Sequence, residues 1–339
     1  MRKFWEKDFL YTVARRYADA TIRGCFSSFK IEGMENIPSD GCVIFAPNHC
    51  NALMDALLLL VCYRGDIAFG ARADIFKNPV AAAGLNFCRI VPIARERDGR
   101  QAVADSVKGY SDIVECLDHG VPFTIFAEGT HRARRTLLPM KKGISRMAVK
   151  AVRDTGKQVW IVPVGIEYDE FFRMMGTVKV RFGEAFAVNG YLESQESEPV
   201  VLRQITDELS SRLKTLFTYF PNDDSYDAAL AQWEASRKPS KAAVVARRIG
   251  GVLFFPVTAL AAVLGAPILI PSEIMVARMK DKSWANTARF CFNLFLRPVV
   301  ALIALAVVWP LCGFLWGLVA FVAIMKSPNV FHWGLRLFR

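Results

Sequence analysis

Apolar and polar positions follow two regimes along the chain. From about residue 29 to 220, short apolar runs are separated by amphipathic stretches; beyond residue 250 the apolar runs lengthen and lose their charges. In the first regime, CVIFA (42–46), IAFGARA (67–73), RIVPIA (89–94), FTIFA (123–127), VWIVPVGIEY (159–168) and VKVRFG (178–183) predict strands. Several are apolar at nearly every position, as strands covered on both sides are. Between them, Val103, Val107, Ile113, Val114 and Leu117 line one helical face and stop at Gly120. Ile144, Met147, Ala148, Ala151 and Val152 line a second, stopped by Gly156, and Leu202, Ile205, Leu209 and Leu216 a third, after Pro199. Alternating strands and helices predict an α/β domain.

The ends of the chain differ from this middle. Residues 1–28 place Phe4, Trp5, Phe9, Val13 and Tyr17 at roughly helical spacing, with Lys3, Lys7, Arg15, Arg16 and Arg23 between them. Two readings fit: a helix packed on the domain, or an interfacial helix with aromatics in lipid and cations towards phosphates. Residues 221–249 are polar and carry Lys238, Lys241, Arg247 and Arg248, which reads as a linker with some helix. Two uncharged stretches follow, 250–272 and 298–325, each long enough to enter a bilayer. The expected organisation is thus an amphipathic region (1–28), an α/β domain (29–220), a linker (221–249) and a membrane-associated region (250–339). If each apolar stretch crossed once, Arg278, Lys280, Lys282, Arg289 and Arg297 would all lie outside, against the positive-inside tendency. Pro256, Pro267 and Pro310 interrupt the stretches, so re-entrant hairpins or broken helices stand beside two simple spans as expectations.

Composition sharpens this picture. Hydrophobic residues make up 53% of the 339, and the net charge is +11. A basic, greasy chain suits an anionic membrane surface, and no nucleic-acid-binding pattern accompanies the charge. The eight cysteines are scattered, without a CxxC pair, and several lie in apolar stretches. They read as reduced core residues, neither a disulfide frame nor a metal site. The charged N-terminus has no apolar segment of the kind a secretory signal needs.

Candidate chemistry begins in FAPNHCNALMDALLLL, where His49 and Asp55 sit in an apolar run. Six residues apart, they fall on different sides of a continuous helix. With His49 in a strand-to-helix turn and Asn51 as N-cap, the imidazole folds back onto the carboxylate. Such a pair either ties the turn together or works as a base, the acid fixing the tautomer while the free nitrogen takes a proton. A second feature, FTIFAEGTHRARRTLLPMKKG (123–143), runs from a strand into Glu128, Gly129, Thr130, His131 and Arg132, with Arg134, Arg135, Lys141 and Lys142 following. Turned backbone amides and cations suit a phosphate; a solvated basic loop is the plainer reading. Arg95 follows a strand, and Pro163 interrupts WIVPVGIEY, as pocket wall or edge strand. His119 and His332 look incidental, one at a helix stop and one in a terminal tail.

Together and in order, NHCNALMD, GLNFCRIVPIAR, FAEGTH and IVPVGI resemble the glycerolipid acyltransferase family, which includes glycerol-3-phosphate and 1-acylglycerol-3-phosphate acyltransferases. The resemblance covers roughly residues 29–220. It implies a mixed α/β sheet covered by helices, with His49 and Asp55 as catalytic base and its partner. It implies substrate contacts from Arg95, Glu128, Gly129, Thr130, His131, Arg132 and Lys141, with Glu128 orienting cations or an acceptor hydroxyl. The implied donor is acyl-CoA or acyl carrier protein, as a co-substrate; no resident cofactor or metal is implied. The implied acceptor is a glycerol phosphate, and the implied setting is a membrane with the active site on its cytosolic side. Three positions depart from the family pattern: the gap between His49 and Asp55 is one residue longer, resembling the His-x5-Asp branch, Ala127 replaces a proline, and His131 replaces an arginine.

Overall fold

A computed structural model describes residues 4–93, 110–194 and 196–338. Its centre is β2 (Cys42–Pro47), buried at every position. Around it lies an eight-stranded sheet formed with β1 (Phe26–Glu32), β3 (Ala68–Arg72), β4 (Ile90–Ile93), β5 (Phe123–Thr124), β6 (Val159–Tyr168), β7 (Gly176–Phe182) and β8 (Phe186–Ala187). The order is β1-β7-β6-β2-β5-β3-β4, with β8 also on β6. From β6 to β4 the strands are parallel, whereas β7 and β8 run antiparallel to β6. The sheet is therefore mixed, as the family pattern implies.

Strand alternation sends side chains into two cores. Cys42, Ile44 and Ala46 face one of them, closed by helical residues 110–118 (α4), by α5 (Gly143–Thr155), and by α7 (Glu198–Leu216), which follows the short α6 (Asn189–Leu192). Val43 and Phe45 face the other, closed by α1 (Phe9–Arg23) and α2 (Ala52–Cys62). A further helix, α3 (Pro79–Phe87), joins β3 to β4. Pro163 lies inside β6, where the neighbour changes from β8 to β7, so its missing N–H breaks no regular ladder. The strand is central, which settles it against an edge position.

The termini refine the expected divisions. Helix α1 does pack on the domain: Arg15 donates to the carbonyls of Leu60, Tyr63 and Gly65, completing the C-terminal end of α2, while Phe9, Leu10 and Val13 stay exposed. The 221–249 segment holds α8 (Tyr226–Ser236), whose Trp233 covers the Arg135 guanidinium at 3.9 Å. Ser240 caps α9 (Lys241–Arg278), which therefore begins inside the expected linker. Then come α10 (Ala285–Cys291), a π-turn at Phe292–Leu296, α11 (Arg297–Cys312) and α12 (Phe314–Leu337). Three apolar segments, Lys241–Arg278, Lys282–Cys312 and Phe314–Leu337, are thus long enough to cross a bilayer, where the sequence suggested two. Gly313, at φ 94°, makes the reversal that divides the second apolar stretch. His332 is buried within α12 and does not lie in a tail. Five cysteines are buried, but Cys88 and Cys312 are exposed.

Candidate active site

Side chains converge where the C-terminal ends of β2 and β5 meet the start of α2, the edge at which parallel sheets collect ligands. After Pro47 the chain turns sharply. Asn48 fixes the turn by exchanging two hydrogen bonds with the backbone of Ile166 on β6, at 3.1 and 2.6 Å. Ala52 adopts φ 43°, so residues 49–51 fold back over the first turn of α2. His49 Nδ1 thereby comes 2.8 Å from Asp55 Oδ2, although six residues separate them. Asn51 starts the helix without a side-chain cap bond; its amide side chain donates to the Phe171 carbonyl.

Capping falls to Asp55 itself. Its Oδ2 accepts the amides of Cys50 and Asn51, each at 2.7 Å, in addition to His49. Its Oδ1 accepts the Tyr168 hydroxyl at 2.7 Å. Asp55 is fully buried, so these four donors, with the Cys50 thiol 3.8 Å from Oδ1, replace its water shell. Burial, then the adjacent carboxylate, pushes the Tyr168 hydroxyl far above its ordinary range, which keeps it a donor. The same two influences push the Cys50 thiol well up, removing it as a nucleophile at neutral pH. The His49 ring stacks on Phe126 at 4.1 Å, and among the described residues Nε2 meets no hydrogen-bond partner. With Nδ1 donating to the acid, Nε2 holds the lone pair and is free to accept a proton.

The 123–143 segment wraps this turn. Gly129, at φ 71°, closes a turn onto the Phe126 carbonyl. Glu128 was expected at the substrate; it is buried, with Oε1 on the His49 amide and Oε2 on the Leu138 amide, both at 2.7 Å. Burial raises its carboxyl to about 7 against the pull of those amides. The His49 carbonyl in turn accepts the Arg132 amide at 3.1 Å. Both backbone groups of His49 are therefore fastened to this loop.

The cation run divides by burial and pairing. Arg135 is buried against Glu167, the Tyr168 carbonyl and Trp233, and Arg134 lies over Tyr226 beside Asp227, so both serve the fold. Among the described residues, neither Arg132 nor Lys141 has an ion-pair partner, and the buried Arg132 Nε has no acceptor. Thr130 is exposed beside Gly129, where an added β-carbon would meet the Lys141 stem at 3.4 Å. Arg95 lies outside the described residues. His131 stands edge-on to His49 at 5.4 Å, but its Nε2 is taken by Asp281 at 3.0 Å, and Trp284 packs on its other side at 5.7 Å. Sequence spacing did not single out Tyr168, Phe126, Asp281 or Trp284. A buried acid with several donors predicts a partner like Tyr168 only after the sheet is assembled.

Known proteins resemble part of this chain. Residues 28–167 match the family model described as Acyltransferase. Over 136 residues (39% of this chain, 18% of the relative), the sequence is 31% identical to glycerol-3-phosphate O-acyltransferase 2 of Saccharomyces cerevisiae. Over 177 residues (52% and 44%), it is 29% identical to the chloroplastic 1-acyl-sn-glycerol-3-phosphate acyltransferase LPAT1 of Arabidopsis thaliana. The match thus spans less than half the length of either relative. The crystal structure of the 1-acyl-sn-glycerophosphate acyltransferase PlsC from Thermotoga maritima aligns with 61% of this chain and 79% of its own, at 24% identity and a TM-score of 0.45.

Proposed function

Residues 28–167 match the acyltransferase family model, and on that match we propose that the chain is a membrane-bound glycerol-phosphate O-acyltransferase. It moves a fatty acyl group from an acyl thioester, of coenzyme A or acyl carrier protein, to a hydroxyl of glycerol 3-phosphate or lysophosphatidate. The observation that carries this reading is the His49–Asp55 contact of 2.8 Å with the opposite ring nitrogen open.

In the proposed step, Nε2 of His49 takes the proton of the acceptor hydroxyl as its oxygen attacks the thioester carbonyl. The C–S bond then breaks, and the departing thiolate recovers the proton from the imidazolium. Asp55 holds the ring and balances its transient charge. Arg132 and Lys141, which have no ion-pair partner among the described residues, receive the acceptor phosphate. His131 supports the site beside His49, its Nε2 held by Asp281. Both substrates arrive from outside, and the reaction asks for no metal or resident cofactor. The soluble thioester places the active site on the cytosolic side, at the inner membrane of a bacterium or an endoplasmic-reticulum-like membrane of a eukaryote.

The test uses membranes containing the chain, labelled acyl-CoA, and glycerol 3-phosphate, dihydroxyacetone phosphate and lysophospholipids as parallel acceptors. Labelled glycerolipid should form with at least one acceptor and disappear in His49→Ala. Full transfer by His49→Ala would refute the mechanism, and release of free fatty acid alone would mark a thioester hydrolase.

A further inference from the structure

The C-terminal helices differ in how they meet the domain. Helix α10 is embedded in it: Ala285, Asn286, Thr287, Ala288 and Phe290 are buried, and the Asn286 amide donates to the Phe171 carbonyl. Both feet of the α11–α12 pair are also tied down. At the first foot, Tyr17 donates to the Asn293 and Leu294 carbonyls, and the buried Arg297 donates to Thr21 at 3.3 Å. At the second, Asn329 lies against Gly24, and Arg336 donates to Ser27. All four anchors belong to α1 and the start of β1, so the pair leaves the domain and returns to it at one place.

Between the feet, α11 and α12 fold on each other about Gly313 and expose Trp309, Leu311, Phe314, Leu315 and Trp316 at the tip. No charged residue lies between Arg297 and Lys326. From Pro298 to Cys312 the first leg rises about 22 Å at ~1.5 Å per residue, short of the roughly 30 Å hydrocarbon layer. Helix α9 packs antiparallel along the C-terminal half of α12, from Gly251 against Phe338, through Thr258 against Gly334 and Gly265 against Ser327, to Ile268 beside Ile324, where it also meets Ala301 of α11. Beyond this stretch Glu273 pairs with Arg289 of α10. Its C-terminal end delivers Asp281 to His131 at the active site. Val245, Ile249, Val252, Leu260, Val263, Ile270 and Ile274 stay exposed along α9, while Arg278, Lys280 and Lys282 gather at its end.

We propose that this region is a one-sided anchor in a lipid bilayer: the α11–α12 hairpin dips into the hydrocarbon and returns, and α9 lies along the returning foot of α12 in the headgroup layer. None of the three long apolar segments crosses. The proposal rests on the reading of the chain as membrane-bound. Cations stand at the feet and at the end of α9, where they meet anionic headgroups, and the uncharged tip stays within the hydrocarbon. The arrangement keeps the active site at the membrane surface, within reach of an acyl chain in the same leaflet.

Cys312, at the tip, is a native reporter. The full-length chain in sealed membrane vesicles is treated with a membrane-impermeant maleimide from either face, and labelled cysteines are identified by peptide mass spectrometry. Lys238→Cys and Lys280→Cys mark the two ends of α9, and Asp207→Cys on α7 marks the side of the domain. The expected result is that positions 238, 280 and 207 react from one common face, and that Cys312 reacts from neither face until detergent is added. Reaction of 238 and 280 from opposite faces, or of Cys312 from either face, overturns the proposal while leaving membrane attachment intact. Release of the chain by an alkaline carbonate wash would instead overturn the membrane-bound reading on which it rests.

Discussion

Replacing Asp55 separates the two tasks that its carboxylate performs. Removal of the side chain in Asp55→Ala strands the amides of Cys50 and Asn51 and the hydroxyl of Tyr168, all buried with their partner. At about 1–3 kcal/mol for each unsatisfied donor, the total is roughly 3–9 kcal/mol, comparable to the ~5–15 kcal/mol that holds a whole domain together. Asp55→Ala should therefore express poorly or unfold. Asp55→Asn is different. Its carbonyl oxygen can take the place of Oδ2 and keep the two amides and the imidazole, while its amide nitrogen donates to the Tyr168 oxygen, which accepts as well as donates. Only the Tyr168 O–H loses its acceptor, so stability should fall by about 1–3 kcal/mol, less than in Asp55→Ala. The charge that steadies the imidazolium is gone, and the turnover rate should fall by about three to four orders of magnitude. The assay is the initial rate of acyl transfer to the preferred acceptor, paired with urea unfolding of the same preparations. Asp55→Asn working within tenfold of the parent, or Asp55→Ala unfolding at the same urea concentration, would refute the assignment.

Three further outcomes are expected. Because burial holds the Glu128 carboxyl near 7, the folded chain binds this proton more tightly than the unfolded chain; stability should fall as pH rises from about 4.5 to 7, by about 3 kcal/mol at most, and level off above. Urea midpoints across that range check the slope, which should vanish in Glu128→Gln. Asp281→Asn releases a half-exposed partner of His131, so stability should change by less than about 1 kcal/mol while the turnover rate falls several-fold; unchanged turnover and KM would show that this loop leaves catalysis untouched. Gly129→Ala forces a side chain onto a left-handed backbone at φ 71°, which costs about 1 kcal/mol and should lower acceptor affinity more than thermal stability; equal affinity in a substrate titration would contradict the placement of the phosphate loop.

Much of the central sheet was legible because buried parallel strands advertise themselves. VWIVPVGIEY is β6 from end to end, and CVIFA is β2 short of its last residue. By contrast β1, FSSFKIE, was not picked out: it pairs only with β7 at the sheet edge, and its half-exposed positions blur the alternation. FTIFA contributes only Phe123 and Thr124 as strand, since the chain leaves early for the Gly129 turn. The helix predicted from Val103 is described only from residue 110. Within the site, the His49–Asp55 contact was readable from turn chemistry, whereas the two backbone amides held by Glu128 were not. A glutamate in a basic loop looks like a ligand until both oxygens are seen on backbone amides. Tyr168 and Asp281 act across 113 and 150 residues, and no local spacing carries that information. A hairpin was among the expectations because Pro310 interrupts the stretch, but the apolar composition did not mark the reversal at Gly313.

The backbone of His49 has one last implication. Its amide and carbonyl are fastened to the stretch bearing Arg132, so the proton acceptor and the proposed anion grip share one rigid frame. Any tug that a docking phosphate exerts on the guanidinium reaches the imidazole through two short links, and an acceptor lacking that phosphate would leave the ring aimed less well. Discrimination between acceptors would then show up as speed, even between molecules that adhere equally tightly.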